Sequence, residues 1–190
     1  MKRIHLTLVL AVLCVAAFAS AAVAGPVGTM EINAGYAKSS TDVTGNNESL
    51  GGGISFGAAY WRSATPTINW GAELSYDNLG SVDTGTNSSV SGNIFRVNPA
   101  IRANFGSMVG PSFFAQAGAG YYSFSAKIND AVLGDVKDSS GKFGYNVGAG
   151  VGFPVGPKTK MNVLGQYHSV ATDGQNTNYF EVKAGVGFGL

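Results

Sequence analysis

From Phe143 to Phe153 the chain alternates larger and small or polar residues without a break. Successive side chains of an extended backbone point to opposite faces, so this pattern fits a strand and not a helix. One face carries Phe143, Tyr145, Val147, Ala149, Val151 and Phe153; the other carries Gly144, Asn146, Gly148, Gly150 and Gly152. The last segment repeats the design. Phe180, Val182, Ala184, Val186, Phe188 and Leu190 oppose Tyr179, Glu181, Lys183, Gly185, Gly187 and Gly189. A third segment sets Phe95, Val97, Ile101, Ala103 and Phe105 against Arg96, Asn98, Arg102 and Asn104. A slip of one residue would turn those arginines onto the apolar face, so register is tightly specified.

The same reading places strands at 29–37, 52–62, 67–77, 92–105, 112–125, 142–153, 158–169 and 178–190. Between them, 38–51, 78–91, 126–141 and 170–177 are long and polar, whereas 63–66, 106–111 and 154–157 are short and carry Pro or Gly turn signals. Long and short connections alternate strictly. That asymmetry predicts an all-β fold, an eight-stranded antiparallel up-and-down transmembrane β-barrel, with long loops outside the cell and short turns in the periplasm.

The N-terminus reads as an address. Lys2 and Arg3 precede an apolar run from Ile4 to Phe18, and Ala22-Val23-Ala24 supplies a small-x-small cleavage pattern. Residues 1–24 are therefore expected to be a cleaved signal peptide, with residues 25–190 as the barrel domain. A lipoprotein anchored at Cys14 is the alternative; Leu13 stands where a small residue is wanted. Cys14 is the only cysteine and leaves with the leader, as does His5, so His168 remains alone and the usual zinc sites are excluded. Lys2 and Arg3 also leave, so ten cations face eleven acids and the mature net charge is −1. A nucleic-acid partner would normally need a basic face. With 28 Gly and 12% charged residues, the composition is unusual for a soluble enzyme. No mature segment approaches the roughly 18 consecutive apolar residues of a membrane helix. An exported chain of this kind can still live in a membrane by closing its backbone hydrogen bonds between strands.

Aromatic residues sort by depth. Tracing the strands up and down places outward-facing Tyr36, Tyr76, Phe95, Tyr121, Tyr145, Tyr167 and Phe180 near one rim. Tyr60, Trp70, Phe105, Phe113, Phe153 and Phe188 fall near the other, with mostly aliphatic residues between. Two girdles around an aliphatic belt are what membrane interfaces select, and a soluble β-sandwich or lipocalin-like barrel has no reason to build them. Pro99 falls in mid-strand, where a closed barrel offers no free edge for its missing N–H, and predicts a bulge or kink.

The run 143–153, the Pro-Val-Gly-Pro-Lys turn after it and the ending Val182-Lys183-Ala184-Gly185-Val186-Gly187-Phe188 resemble small outer-membrane barrels of the opacity-adhesin and OmpA- or OmpX-like types. The resemblance covers the mature chain as pattern. It implies an outer-membrane location, a lipid and lipopolysaccharide environment, delivery by the barrel assembly machinery, and a monomer. Such barrels usually end on an aromatic residue; here the end is Leu190, with Phe188 two residues earlier.

The inward face is expected to carry a polar network of Glu31, Glu73, Arg96, Arg102, Glu181 and Lys183, among Asn33, Asn69, Asn98, Asn104, Gln116, Asn146, Asn162 and Gln166. Unpaired charges in a narrow interior are costly, so they should pair across strands. Folding the second long connection about its middle predicts Glu73 near Arg96, with Arg102 as a further candidate partner, and strand eight beside strand one predicts Lys183 near Glu31. Phe114 and Tyr122 add bulk to an interior that eight strands leave only wide enough for side chains. A gated ion path is the functional alternative to this structural core.

Tyr167-His168-Ser169 with Asp173 nearby raises a lipid A-modifying activity, since small barrels of that kind use Ser and His. Adjacent His168 and Ser169 face opposite ways on a strand, however. Lys127, Lys137 and Lys142 could meet lipopolysaccharide phosphates, and Asp130, Asp135 and Asp138 match no calcium loop. No cofactor, metal site or catalytic residue is expected. The leading function is a non-enzymatic surface barrel serving envelope integrity or adhesin-like contact, with a surface ligand held by 38–51, 78–91 and 126–141. A narrow porin is the alternative.

Overall fold

The computed structural model describes residues 28–40, 51–85, 88–106, 110–130, 136–171 and 176–190. The expected leader 1–24, its cleavage point and Cys14 lie outside the described residues. Eight strands follow one another: β1 (Gly28–Ser39), β2 (Gly53–Ser63), β3 (Ile68–Gly85), β4 (Ser88–Gly106), β5 (Ser112–Asp130), β6 (Val136–Gly156), β7 (Thr159–Val170) and β8 (Thr177–Gly189). Each pairs antiparallel with the next, and β8 returns to β1, so the sheet closes into an up-and-down barrel. Closure gives every strand two neighbours and removes the free edge that an apolar surrounding would penalise.

The alternation seen in the sequence becomes a wall with two chemistries. Outward residues are aliphatic or aromatic and exposed, Phe143 by 75% and Ile54 by 69%. Inward residues are mostly polar, charged or glycine. Trp70, Phe105, Phe113, Phe153 and Phe188 are exposed at the short-turn end, and Tyr36, Tyr145 and Phe180 toward the long-connection end. Phe114 pairs directly with Gly150, and a Cβ added to Gly150 would lie 2.5 Å from the Phe114 ring. The glycine face is thus the space into which inward aromatic rings of the neighbouring strand lie.

Two expectations need correction. The long connections 78–91 and 126–141 are largely strand. Among the described residues, β3 runs to Gly85 and β4 starts at Ser88, while β5 runs to Asp130 and β6 starts at Val136. The polar composition suggested loops, but continued pairing satisfies the backbone there, and Val90 and Phe124 keep packing against the buried interior. Pro99 produces no bulge. The β4–β5 register is the same on both sides of it, Val97↔Tyr121 and Ala100↔Gly118, and only the pairing of Asn98 and Pro99 lapses. The proline's missing donor is absorbed opposite Ala119 and the glycines beside it, where no large side chain competes for space.

A real bulge lies elsewhere. The β3–β4 register shifts between Asn78 and Ser81, and Gly80 there has φ +77°. Only glycine takes that conformation without strain. Gly80 N donates to Asn78 Oδ1 at 2.6 Å, and Gly52 N donates to the Leu79 carbonyl at 2.8 Å. Just before the kink, Leu79 keeps the inward parity of Glu73, Ser75 and Asp77 and is fully buried.

Candidate functional site in the barrel lumen

All six charged residues expected inside are buried: Glu31, Glu73, Arg96, Arg102, Glu181 and Lys183. The structure brings them together in partnerships other than those expected. Glu73 does not pair with Arg96. The hairpin tip lies beyond the midpoint of 78–91, and after two register shifts Glu73 stands opposite Asn98 while Arg96 stands opposite Ser75. Nor does Lys183 pair with Glu31, because Lys183 sits beside Gly35 in the β1–β8 register.

Arg96 is the hub of the upper half, nearer the long connections. Its Nη2 donates to Glu181 Oε2 at 2.7 Å, and its Nε lies 3.1 Å from Asp77 Oδ2. Asp77 accepts from Ser75 Oγ at 2.8 Å and from the Tyr179 hydroxyl at 2.9 Å. Ser55 Oγ contacts both Asp77 and Glu181. His168 stacks on Tyr179, with ring centroids 4.3 Å apart and 5° between planes. Its Nε2 is 3.3 Å from Glu181 Oε2, and its Nδ1 is 3.2 Å from the Tyr122 hydroxyl. That hydroxyl already accepts from Asn98 and Asn146, at 2.9 and 3.3 Å, so its own proton is free for the imidazole. Asn146 in turn accepts from Gln166 at 3.2 Å.

Lys183 joins this hub to the middle of the lumen, with Nζ 3.3 Å from Glu73 Oε1 and 3.4 Å from Glu181 Oε2. Toward the short turns, Arg102 Nη1 donates to Glu31 Oε2 at 2.9 Å and Nε donates to Gln116 at 3.0 Å. Asn162 also donates to Glu31, at 3.1 Å. The Arg102 guanidinium lies 4.1 Å from the Trp61 ring centroid and 4.3 Å from that of Phe114. An arginine held by two aromatic rings and a carboxylate gains both cation–π attraction and a directed pair.

An apolar layer caps the upper network: Ala37, Leu79, Ile94, Tyr122, Val170 and Tyr179 are all fully buried. Asp77, Trp61 and the aliphatic part of this cap, Ala37, Leu79, Ile94 and Val170, were not singled out from the sequence. Asp77 shares the parity of Glu73 and Ser75, and Trp61 shares that of Ala59, so inward parity carried both to their terminal strand positions. His168, the lone histidine of the expected mature chain, is fully enclosed. Ser169 belongs to the opposite face of β7 and does not join it.

A closed antiparallel barrel with an apolar outer wall and a charged, paired interior fixes the kind of molecule this is. Residues 6–189 match the family described as outer membrane protein beta-barrel domain. The chain belongs to that family. It is an outer-membrane protein, and solved structures show a similar architecture. Neisserial surface protein A superposes with a TM-score of 0.64 at 14% identity, over 86% of this chain and 99% of that one. The N-terminal β-barrel domain of OprF from Pseudomonas aeruginosa gives 0.54 at 16% identity, over 85% and 97%. The attachment invasion locus protein Ail of Yersinia pestis gives 0.53 at 18% identity, over 85% and 99%. At these identities the likeness is one of fold. No curated protein matches the chain by sequence.

Proposed function

We propose that this protein is a closed, non-enzymatic barrel that contributes to envelope integrity or surface contact through its long extracellular hairpins. The observation that carries the reading is the filled lumen. Three cations and four carboxylates are buried in mutual contact, between an arginine–aromatic stack at one end and an apolar layer at the other. An ion would have to displace paired charges and cross an apolar layer, so the porin alternative is disfavoured. His168 is held by Glu181 and Tyr122 and is fully buried, which disfavours the lipid A-modifying alternative.

The hairpins β3–β4 and β5–β6 extend past the other strands, with the short turns and chain ends assigned to the periplasm. A complex of Ail with the heparin analogue sucrose octasulfate illustrates polyanion binding by a protein of this fold. Here the long connections hold seven acids against Lys38, Lys127 and Lys137, so a polyanionic surface ligand is not favoured. Planar-bilayer recording of the refolded protein tests the sealed lumen: near-silence is expected, and steady single-channel conductance would move the function to a pore. Comparing surface binding and detergent sensitivity of cells with and without the gene tests the envelope role.

A further inference from the structure

His168 joins the charged hub to the apolar layer above it. On the layer's side it meets Tyr122 of β5 and Tyr179 of β8. On the hub's side it meets Arg96 of β4 and Glu181 of β8. Asp77 of β3 stands one contact further out, through Arg96 and Tyr179, and Lys183 of β8 does so through Glu181. From β6 the uncharged Asn146 lies opposite His168 in register.

Hydrogen-bond roles fix the state of the ring. Glu181 Oε2 is a carboxylate oxygen and can only accept, so His168 Nε2, 3.3 Å away, carries a hydrogen. The Tyr122 hydroxyl spends its lone pairs on Asn98 and Asn146, so it donates to Nδ1 at 3.2 Å. Arg96 Nη1 lies 3.3 Å from both ring nitrogens and can only donate, which again calls for a lone pair on the ring. The imidazole is therefore neutral, with its hydrogen on Nε2. A second proton, on Nδ1, would face an O–H and a guanidinium and find no acceptor.

Charge draws that proton in all the same. In the upper and middle lumen Glu73, Asp77 and Glu181 outnumber Arg96 and Lys183 by one. An imidazolium would pull on Glu181 Oε2, which Arg96 holds at 2.7 Å and Lys183 approaches at 3.4 Å, and it would repel Arg96. The Tyr122 hydroxyl would have to turn away from Nδ1. Tyr122 and Tyr179 both belong to the sealing layer, so the seal loosens with the ring. We propose that His168 is an acid-operated latch: a proton on Nδ1 releases Tyr122, parts Arg96 from Glu181 and opens the upper end of the lumen to ions. This rests on the sealed-lumen reading above and adds the condition under which the seal gives way.

Two measurements test the latch. In NMR of the histidine ring nitrogens in lipid, with His168→Gln identifying the signal, the ring is expected to be neutral and protonated on Nε2 at about pH 7.5. An imidazolium, or a hydrogen on Nδ1, under that condition overturns the proposal. Planar-bilayer recording then compares about pH 7.5 with about pH 5, a span that brackets the histidine range. The open fraction of the wild type should rise roughly tenfold in acid, the equivalent of about one lost hydrogen bond. His168→Gln should show no rise, with heat-modifiable gel migration confirming the folded barrel. Tyr122→Phe, which removes the hydroxyl that occupies Nδ1, should show the rise in weaker acid, and it decides the matter if His168→Gln does not fold. No rise in the wild type, a rise that survives in His168→Gln, or an unmoved rise in Tyr122→Phe overturns the latch. A wild type that conducts steadily at neutral pH removes the sealed-lumen reading instead, and the acid response is still read above that baseline.

Discussion

Arg96 Nη2 donates to Glu181 Oε2 across the lumen at 2.7 Å, with both side chains shut off from solvent. Arg96 answers two carboxylates at once, since Asp77 lies on its other side at 3.1 Å. Removing it leaves both buried without their main cation. Arg96→Met should therefore cost about 3–5 kcal/mol of folding free energy. A double-mutant cycle of Arg96→Met with Glu181→Gln, read by urea unfolding in vesicles, should show strong coupling. The cycle of Arg96→Met with Glu73→Gln should show much less, because Glu73 is paired with Lys183. Equal coupling in the two cycles would contradict the observed partnerships.

At the other end of the lumen, Arg102 is held by shape as well as charge. Trp61 and Phe114 bracket its guanidinium, while Glu31 and Gln116 take its N–H groups. Lysine keeps the charge but loses the planar stack and the fork of donors. Arg102→Lys is expected to destabilise the barrel by about 1–2 kcal/mol, on the scale of a desolvated cation–π contact. Trp61→Leu should account for much of the same loss, and the two changes together should cost less than their sum. Strict additivity in the unfolding free energies would show that the stack contributes nothing.

The extended hairpins make a separate prediction. Ser88 to Ser91 pair with β5 on one side and with β3 on the other, beyond the strand ends expected from composition. Their amides should exchange with deuterium well more slowly than unstructured peptide, as should those of Ile128 and Val136, which face each other in the β5–β6 register. Exchange at peptide rates across Ser88–Ser91 would return that stretch to a loop.

What the sequence made legible was whatever depends on period two. Strand number, the lipid face and the inward set of charges follow from alternation, and alternation is local. The partnerships were not legible, because the decisive contacts cross the lumen between strands that are not neighbours: Arg102 on β4 with Glu31 on β1, Lys183 on β8 with Glu73 on β3. Reasoning from adjacent strands cannot reach such pairs. Register within β3–β4 was lost for another reason. It depends on the bulge at Gly80 and on the hairpin tip, and a serine- and asparagine-rich stretch shows neither. Asp77 was passed over where the expected strand ended, although its parity pointed inward. Ile94 and Leu79, which seal the upper end, share the inward parity of Arg96 and Asp77 but fall in or next to stretches whose polar composition reads as loop.

The two faces of one strand give the last prediction. Ala149 faces outward and is exposed, opposite Ala115 and Gly165 in its row, whereas its neighbour Gly148 faces the lumen. Ala149→Arg places a guanidinium among acyl chains near mid-membrane and should cost about 2–4 kcal/mol. That cost is one of solvation, so it should fall when the bilayer is thinned and the side chain reaches an interface. Gly148→Arg meets a different obstacle: a Cβ there would lie 2.6 Å from Cγ of Gln166 and close against the Gly165 carbonyl. That is steric crowding inside the barrel, which lipid thickness does not change. Ala117→Arg, outward and exposed on β5, should follow Ala149→Arg. Unfolding free energies measured in vesicles of long- and short-chain lipid separate the two causes. If all three variants respond to thickness alike, the assignment of faces on β5 and β6 is wrong.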